Sequence, residues 1–214
     1  MKKAVIIIGA GTGLSKGIAH KFGKENYTIG LISRNAENLK KLQTELAEKG
    51  IESFYATADA HHANELTTAI EKLKKELGGI DVLVYNVANI KHKDILEETS
   101  DTLVNDFTLN VANALHSLQC VHNDLKDRKG AFLLSGGGLS LFPHSQYGSL
   151  AIGKASIRNL AFQLNKRLKP ENIFVGTVTI AGSIEENSKT HSPAILANKF
   201  WELLQHRSEA EIQH

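Results

Sequence analysis

Residues 4–19, AVIIIGAGTGLSKGIA, decide the fold, because an apolar β-branched run breaks into glycines and then resumes with helical spacing. Val5, Ile6, Ile7 and Ile8 read as a strand buried on both faces, the pattern of a parallel sheet covered by helices. Gly9, Gly11 and Gly13 let the backbone turn tightly, and a helix opens after them. At that helix N-terminus the unpaired N–H groups and the positive dipole end face the loop, so a pyrophosphate binds main chain directly. Gly9, Gly11, Thr12, Gly13 and Leu14 are therefore candidate dinucleotide-binding residues.

The rest of the chain carries the same architecture onward. Strand-like runs fall at 3–8, 27–33, 52–57, 80–85, 131–135 and 173–180, each short and rich in β-branched or aromatic residues. Helical patterns lie between them, at about 62–77, 101–125, 146–168 and 193–205. Asn35 caps a further helix in which Leu39, Leu42 and Leu46 share a face, and Gly50 terminates it. Such alternation predicts an α/β protein: one doubly wound (Rossmann) domain over residues 1–214, with a mainly parallel sheet and helices on both faces. The glycine turn then sits at the carboxyl edge of the first strand, where open α/β sheets bind ligands.

Composition narrows the partners. The formal net charge is +2 over 214 residues, and basic residues interleave with acidic ones, as in AENLKKLQTELAEKG, so no phosphate-binding stripe for nucleic acid is expected. No apolar run approaches the roughly 20 residues that a membrane span requires. MKKAVIII ends at once in Gly9 and lacks a small-x-small cleavage site, so a cytoplasmic protein is expected. The single Cys120 lies in an apolar-periodic stretch and reads as a packed thiol. Ten histidines include the pair His61-His62 beside Asp59, yet neither metalloprotease nor zinc-finger spacing appears and no metal site is expected.

The second strand indicates which dinucleotide. An NAD site places Asp or Glu at its end to accept hydrogen bonds from the ribose, whereas this chain reads Leu31-Ile32-Ser33-Arg34-Asn35. Arg34 offers a planar fork to a 2′-phosphate and Ser33 a hydroxyl, which favours NADP(H). The bland alternative is a solvated arginine beside a helix cap.

Gly9 and Gly13 fit Gly-x-x-x-Gly, and with the strand before them the loop resembles that of the short-chain dehydrogenase/reductase family, except that the family's last loop glycine is Ser15. Its small side chain still permits close helix packing. The resemblance runs over about residues 3–180: Asp59-Ala60 matches the family's adenine-binding position, Asn86-Val87-Ala88 its Asn-Asn-Ala-Gly turn, and Asn110 its structural and catalytic Asn. It implies Ser33, Arg34, Asp59, Ala60, Asn86, Ala88 and Lys154 as cofactor-binding residues.

The resemblance also exposes a departure. The family's catalytic Tyr stands four residues before a Lys that lowers its pKa and holds the ribose. Lys154 is present, but the tyrosine position is Leu150, and the family's Ser falls on Gly137 or Gly138. Loss of a positioned general acid costs about 10²- to 10⁴-fold. Tyr147 shares a helix face with Leu150 and Lys154, yet seven residues span about 10.5 Å of axis against about 6 Å for the family's spacing. A relocated acid at Tyr147 is set against a tyrosine packed at the helix start. His144, Ser140 and Ser145 precede this helix as pocket or turn residues.

Beyond the sixth strand, only about residues 183–192 separate it from the last helix, which predicts a shortened substrate lid. Two functions remain. One is an NADPH-dependent reductase of a small carbonyl using Asn110, Lys154 and Tyr147; the other is a non-catalytic NADP(H)-binding protein. The broad apolar faces of the helices at 101–125 and 146–168, paired across a two-fold axis in the family, predict a homodimer.

Overall fold

The computed structural model describes residues 2–214. Among them seven strands form one sheet: β1 (Lys3–Ile8), β2 (Tyr27–Ser33), β3 (Ser53–Thr57), β4 (Val82–Tyr85), β5 (Ala131–Gly137), β6 (Phe174–Ile180) and β7 (Glu211–Gln213). Their order is β3-β2-β1-β4-β5-β6-β7, and every neighbouring pair is parallel. The chain winds outward from β1 to β3, then returns to the other side of β1 and winds outward again. The strand order therefore reverses between β1 and β4, and a crevice opens there at the carboxyl ends.

Seven α-helices cover the sheet: α1 (Leu14–Lys24), α2 (Ala36–Ala47), α3 (Ala63–Leu77), α4 (Ser100–Phe107), α5 (Asn113–Asp127), α6 (Gly148–Leu168) and α7 (Pro193–His206). Alternation along β1 explains its uninterrupted apolar sequence. Val5 and Ile7 pack on one face with Ile18, Phe22, Leu39 and Phe200, whereas Ile6 and Ile8 pack on the other with Ile70, Leu118 and Ile157. Asn35 caps α2 as expected, its side chain accepting from the Asn38 N–H at 2.9 Å, and Gly50 follows the helix with φ +71°.

Two elements differ from the sequence expectation. The helix expected over 101–125 is divided at Thr108–Ala112 by a wide π turn, which the continuing apolar periodicity conceals. The Tyr85 hydroxyl donates to the Leu109 carbonyl inside this turn, tying it to the end of β4. The strand β7 was absent from the expected set because Glu-Ile-Gln is too short to show alternation. It is fastened by tertiary contacts instead: Arg158 donates through Nε and a terminal nitrogen to both oxygens of Glu211, each at 2.7 Å, and the Thr179 hydroxyl adds a third bond at 2.6 Å. Those donors hold the Glu211 carboxyl down at about 2. Among the described residues no helix is long and apolar enough to cross a membrane.

Candidate cofactor and active site

The glycine turn has the geometry that a ligand-facing loop needs. Gly9 adopts φ +85°, and a methyl group there would strike the Asn86 carbonyl, so any larger residue meets both strain and collision. The Gly9 and Ala10 N–H groups both donate to the Ile32 carbonyl at 2.9 Å, anchoring the turn to β2. Beyond it the chain opens outward: methyls built at Gly11 and Gly13 would meet nothing within 4 Å. Gly13 caps α1 without a side chain; the Lys16 N–H donates back to the Gly13 carbonyl at 3.0 Å, which leaves the Leu14 and Ser15 main chain at the helix start to face an anion. Thr12 is exposed, whereas the Leu14 side chain is in the core, so Leu14 presents only its main chain to the loop.

Ser15 does more than permit close packing. It is 1% exposed, its hydroxyl donates to the Gly9 carbonyl at 2.8 Å, and the same oxygen accepts from the Asn86 amide at 2.7 Å.

A cavity of about 410 Å³ lies beside this turn at the carboxyl ends of β1, β2, β3 and β4. Gly9, Ser33, Arg34, Asp59, Ala60, Asn86 and Ala88 line it, so seven of the expected cofactor residues converge from four strands. The Arg34 side chain is 73% exposed, its guanidinium 3.8 Å from the Asp59 carboxylate. Partial burial of Asp59 favours its neutral form, but the His61 N–H and ring, both at 3.0 Å, together with Arg34, hold its carboxyl below the ordinary value. His61, Lys91 and Asn105 also line the cavity. Sequence reasoning weighed His61 only as a metal ligand and passed over Lys91 and Asn105. The available signal for Lys91 was its place five residues after Asn86, on the loop leaving β4.

Asn110, Lys154 and Tyr147 lie outside the walls of that cavity. Asn110 sits in the wide turn, 6% exposed, with neither side-chain atom hydrogen-bonded. It packs on Gly153, where a methyl group would come within 2.8 Å of its amide nitrogen. The next residue, Lys154, donates to the Ser135 carbonyl at 2.9 Å, and burial pushes its amine down to about 8. Its stem runs beside Gly137: a methyl there would lie 3.2 Å from Lys154 Cδ, whereas one at Gly138 would press the Ala181 backbone at 3.0 Å. Of the two glycines left open by the sequence, Gly137 is thus the one that faces the lysine. Leu150 is 6% exposed. Tyr147 is the residue before α6, with non-helical φ −129° and ψ 46°, so it does not stand on the helix face with Leu150 and Lys154 that the sequence predicts; it is half-buried, its ring edge-on to His92 at 5.2 Å and to His144 at 6.1 Å. The N–H of Gly148 donates to the Lys93 carbonyl, fixing this corner to the loop after β4. Among the described residues no three metal-ligating side chains gather.

A glycine turn at the reversal point of a parallel sheet, with a polar cavity beside it, defines the doubly wound nucleotide-binding class of α/β proteins. Within that class, the chain belongs to the short chain dehydrogenase family, whose model matches residues 3–191. It is 28% identical over 179 residues to a diacetyl reductase [(S)-acetoin forming] of Staphylococcus epidermidis, covering 82% of this chain and 69% of that one. A D-xylose 1-dehydrogenase of Caulobacter vibrioides is 26% identical over 186 residues, covering 86% and 72%. Among solved structures, an alcohol dehydrogenase of Thermococcus sibiricus complexed with 5-hydroxy-NADP superposes with a TM-score of 0.88 at 19% identity, over 99% of this chain and 95% of that one. The NADPH-bound structure of a short chain oxidoreductase of Pseudomonas aeruginosa, described as containing an atypical catalytic center, gives 0.89 at 16% identity, over 99% and 94%.

Proposed function

We propose that this chain, one NADP-binding Rossmann domain over residues 1–214 with a shortened lid at about 183–192, is an NADP(H)-dependent oxidoreductase acting on a small carbonyl or alcohol. The observation that carries the reading is the convergence of the Gly9 turn, Ser33, Arg34 and Asp59 on one cavity. The bound dinucleotide supplies or accepts a hydride. The uncapped start of α1 receives the pyrophosphate, Arg34 pairs with the 2′-phosphate, and Asp59 accepts from the adenine amino group. Lys154 holds the nicotinamide ribose, with Asn110 packed beside it. Its amine, lowered to about 8, exchanges protons near neutral pH more readily than an ordinary lysine.

The active site is atypical because Leu150 occupies the place of the family's tyrosine and Gly137 that of its serine. A leucine transfers no proton, so turnover rests on orientation of the carbonyl beside the dinucleotide and on a proton delivered from near Lys154. Tyr147 is the alternative donor. Its packing against His92 and His144 at the start of α6 favours a structural role instead. The second reading, a non-catalytic NADP(H)-binding protein, draws its support from the same two apolar substitutions beside an intact cofactor cavity. The Pseudomonas aeruginosa neighbour of the same fold is described as NADPH-bound and as containing an atypical catalytic center.

Steady-state NADPH consumption against a panel of small carbonyls, with an NADPH fluorescence titration, separates the readings. The oxidoreductase reading expects slow, saturable consumption that survives Tyr147→Phe. Binding with no carbonyl reduced establishes the non-catalytic protein. A cytoplasmic homodimer completes the proposal: Val104 and Phe107 on α4 and Ile152 on α6 are 64%, 44% and 43% exposed, an apolar face suited to a two-fold partner. A monomer by light scattering would contradict it.

A further inference from the structure

We propose that Ser15 is a positioning residue for the cofactor's pyrophosphate, holding the Gly9 turn and the end of β4 as one unit; the inference rests on the NADP(H) reading of the cavity above. Three observations meet at its hydroxyl. The oxygen donates to the Gly9 carbonyl at 2.8 Å and accepts from the Asn86 side-chain amide at 2.7 Å, while the Asn86 main-chain N–H donates to the Ile8 carbonyl at 2.9 Å. A closed circuit results, running from the last residue of β1 through Asn86 and Ser15 back to Gly9. It brackets the peptide whose two N–H groups, Gly9 and Ala10, are already bound to Ile32.

The circuit has a physical consequence for ligand binding. Gly9 holds a left-handed conformation against Asn86, but the loop beyond it has open space above Gly11 and Gly13, so few packing contacts fix the stretch that leads into α1. Ser15 is 1% exposed and belongs to the first turn of α1, the same turn whose free N–H groups face the anion. By bonding backward to Gly9, its side chain sets the angle between that turn of helix and the end of β1. A glycine at this place leaves the Gly9 carbonyl and the Asn86 amide without this partner, and an alanine does the same while retaining a side chain. The loop must then be ordered by the ligand, at the expense of affinity. Asn86, which lines the cavity, loses its orientation in either variant.

The test uses the full chain with two ligands, NADPH and adenosine 2′-monophosphate, the second of which reaches Arg34 but carries no pyrophosphate. In Ser15→Ala and Ser15→Gly, the NADPH dissociation constant should rise about 10-fold, the cost of one buried hydrogen bond to an oriented group. Affinity for adenosine 2′-monophosphate should stay within about 2-fold of wild type. Asn86→Ala should weaken NADPH similarly, and the Ser15→Ala/Asn86→Ala double variant should be no weaker than either single one, because both break the same circuit. Unchanged NADPH affinity in both Ser15 variants, an equal loss for both ligands, or additive effects of Ser15 and Asn86 would each overturn the role. Failure of the wild type to bind NADPH would instead overturn the cofactor reading, and the two failures are read from different samples.

Discussion

The two ends of the binding crevice are built to different standards. At the β1–β4 end, polar groups are paired: Gly9 and Ala10 to Ile32, Ser15 to Gly9 and Asn86, Asp59 to His61 and Arg34. At the β5–α6 end, Asn110 has both amide atoms unpartnered, Lys154 is a partly buried amine with one hydrogen bond, to a carbonyl, and the neighbouring positions are Gly137 and Leu150. The first end is preorganised for a dinucleotide. In the second, the only hydrogen bond of Lys154 among the described residues is to the Ser135 carbonyl, and Gly137, beside its stem, carries no side chain. On the proposed reading, cofactor binding and proton transfer rest on different side chains of one fold.

The contrast is broken most severely at Gly9. Gly9→Val adds both a left-handed strain and a collision with the Asn86 carbonyl, so NADPH affinity should fall by about 100-fold or more while far-UV circular dichroism keeps its α/β shape. Retained affinity would show that the turn is not the pyrophosphate site. The opposite end is sharpened by restoration. Leu150→Tyr with Gly137→Ser should raise NADPH-dependent carbonyl turnover toward 10²-fold, the contribution of a positioned general acid. The Cβ of a serine at Gly137 needs a shift of a few tenths of an ångström in the Lys154 stem. Cofactor binding without any gain in turnover would place the defect in substrate positioning and favour the non-catalytic protein.

A smaller effect separates function from stability at Lys154. Its folded value of about 8 lies below the ordinary 10.5, so the buried charge opposes folding fully below about pH 8 and ceases to do so above about 10.5. Lys154→Met should therefore stabilise the free protein at pH 7 by about 1–2 kcal/mol, with the advantage shrinking as pH rises between those values, and at the same time weaken NADPH binding. Thermal unfolding across pH 6–11 checks it. A variant less stable at every pH would mean that the amine's bond to the Ser135 carbonyl outweighs the desolvation of its charge.

Much of this was legible in the chain because it is written locally. The all-apolar β1 states that both faces of the sheet are covered, and Gly9 and Gly13 state that a turn and a helix follow. Asn35 marks its cap by residue type alone. What escaped depends on contacts distant in sequence. β7 exists because Arg158, some fifty residues earlier, grips Glu211, and three residues carry too little pattern to announce a strand. The wide turn at Asn110 keeps helical periodicity on both sides and so hides within it. Ser15 looked like a weakened glycine motif, since nothing in the sequence shows that its hydroxyl would meet Asn86, a residue 71 positions away. The choice between Gly137 and Gly138 likewise needed the course of the Lys154 stem.

The central claim is that the crevice is an NADP(H) site read by Arg34, and paired titrations of NADPH and NADH against wild type and Arg34→Ala test it most directly. The account predicts that wild type binds NADPH about 10- to 100-fold more tightly than NADH, the range of a charge-assisted contact to phosphate, and that Arg34→Ala brings the two affinities together by weakening NADPH alone. Equal affinities in wild type, or an undiminished NADPH preference in Arg34→Ala, would contradict it.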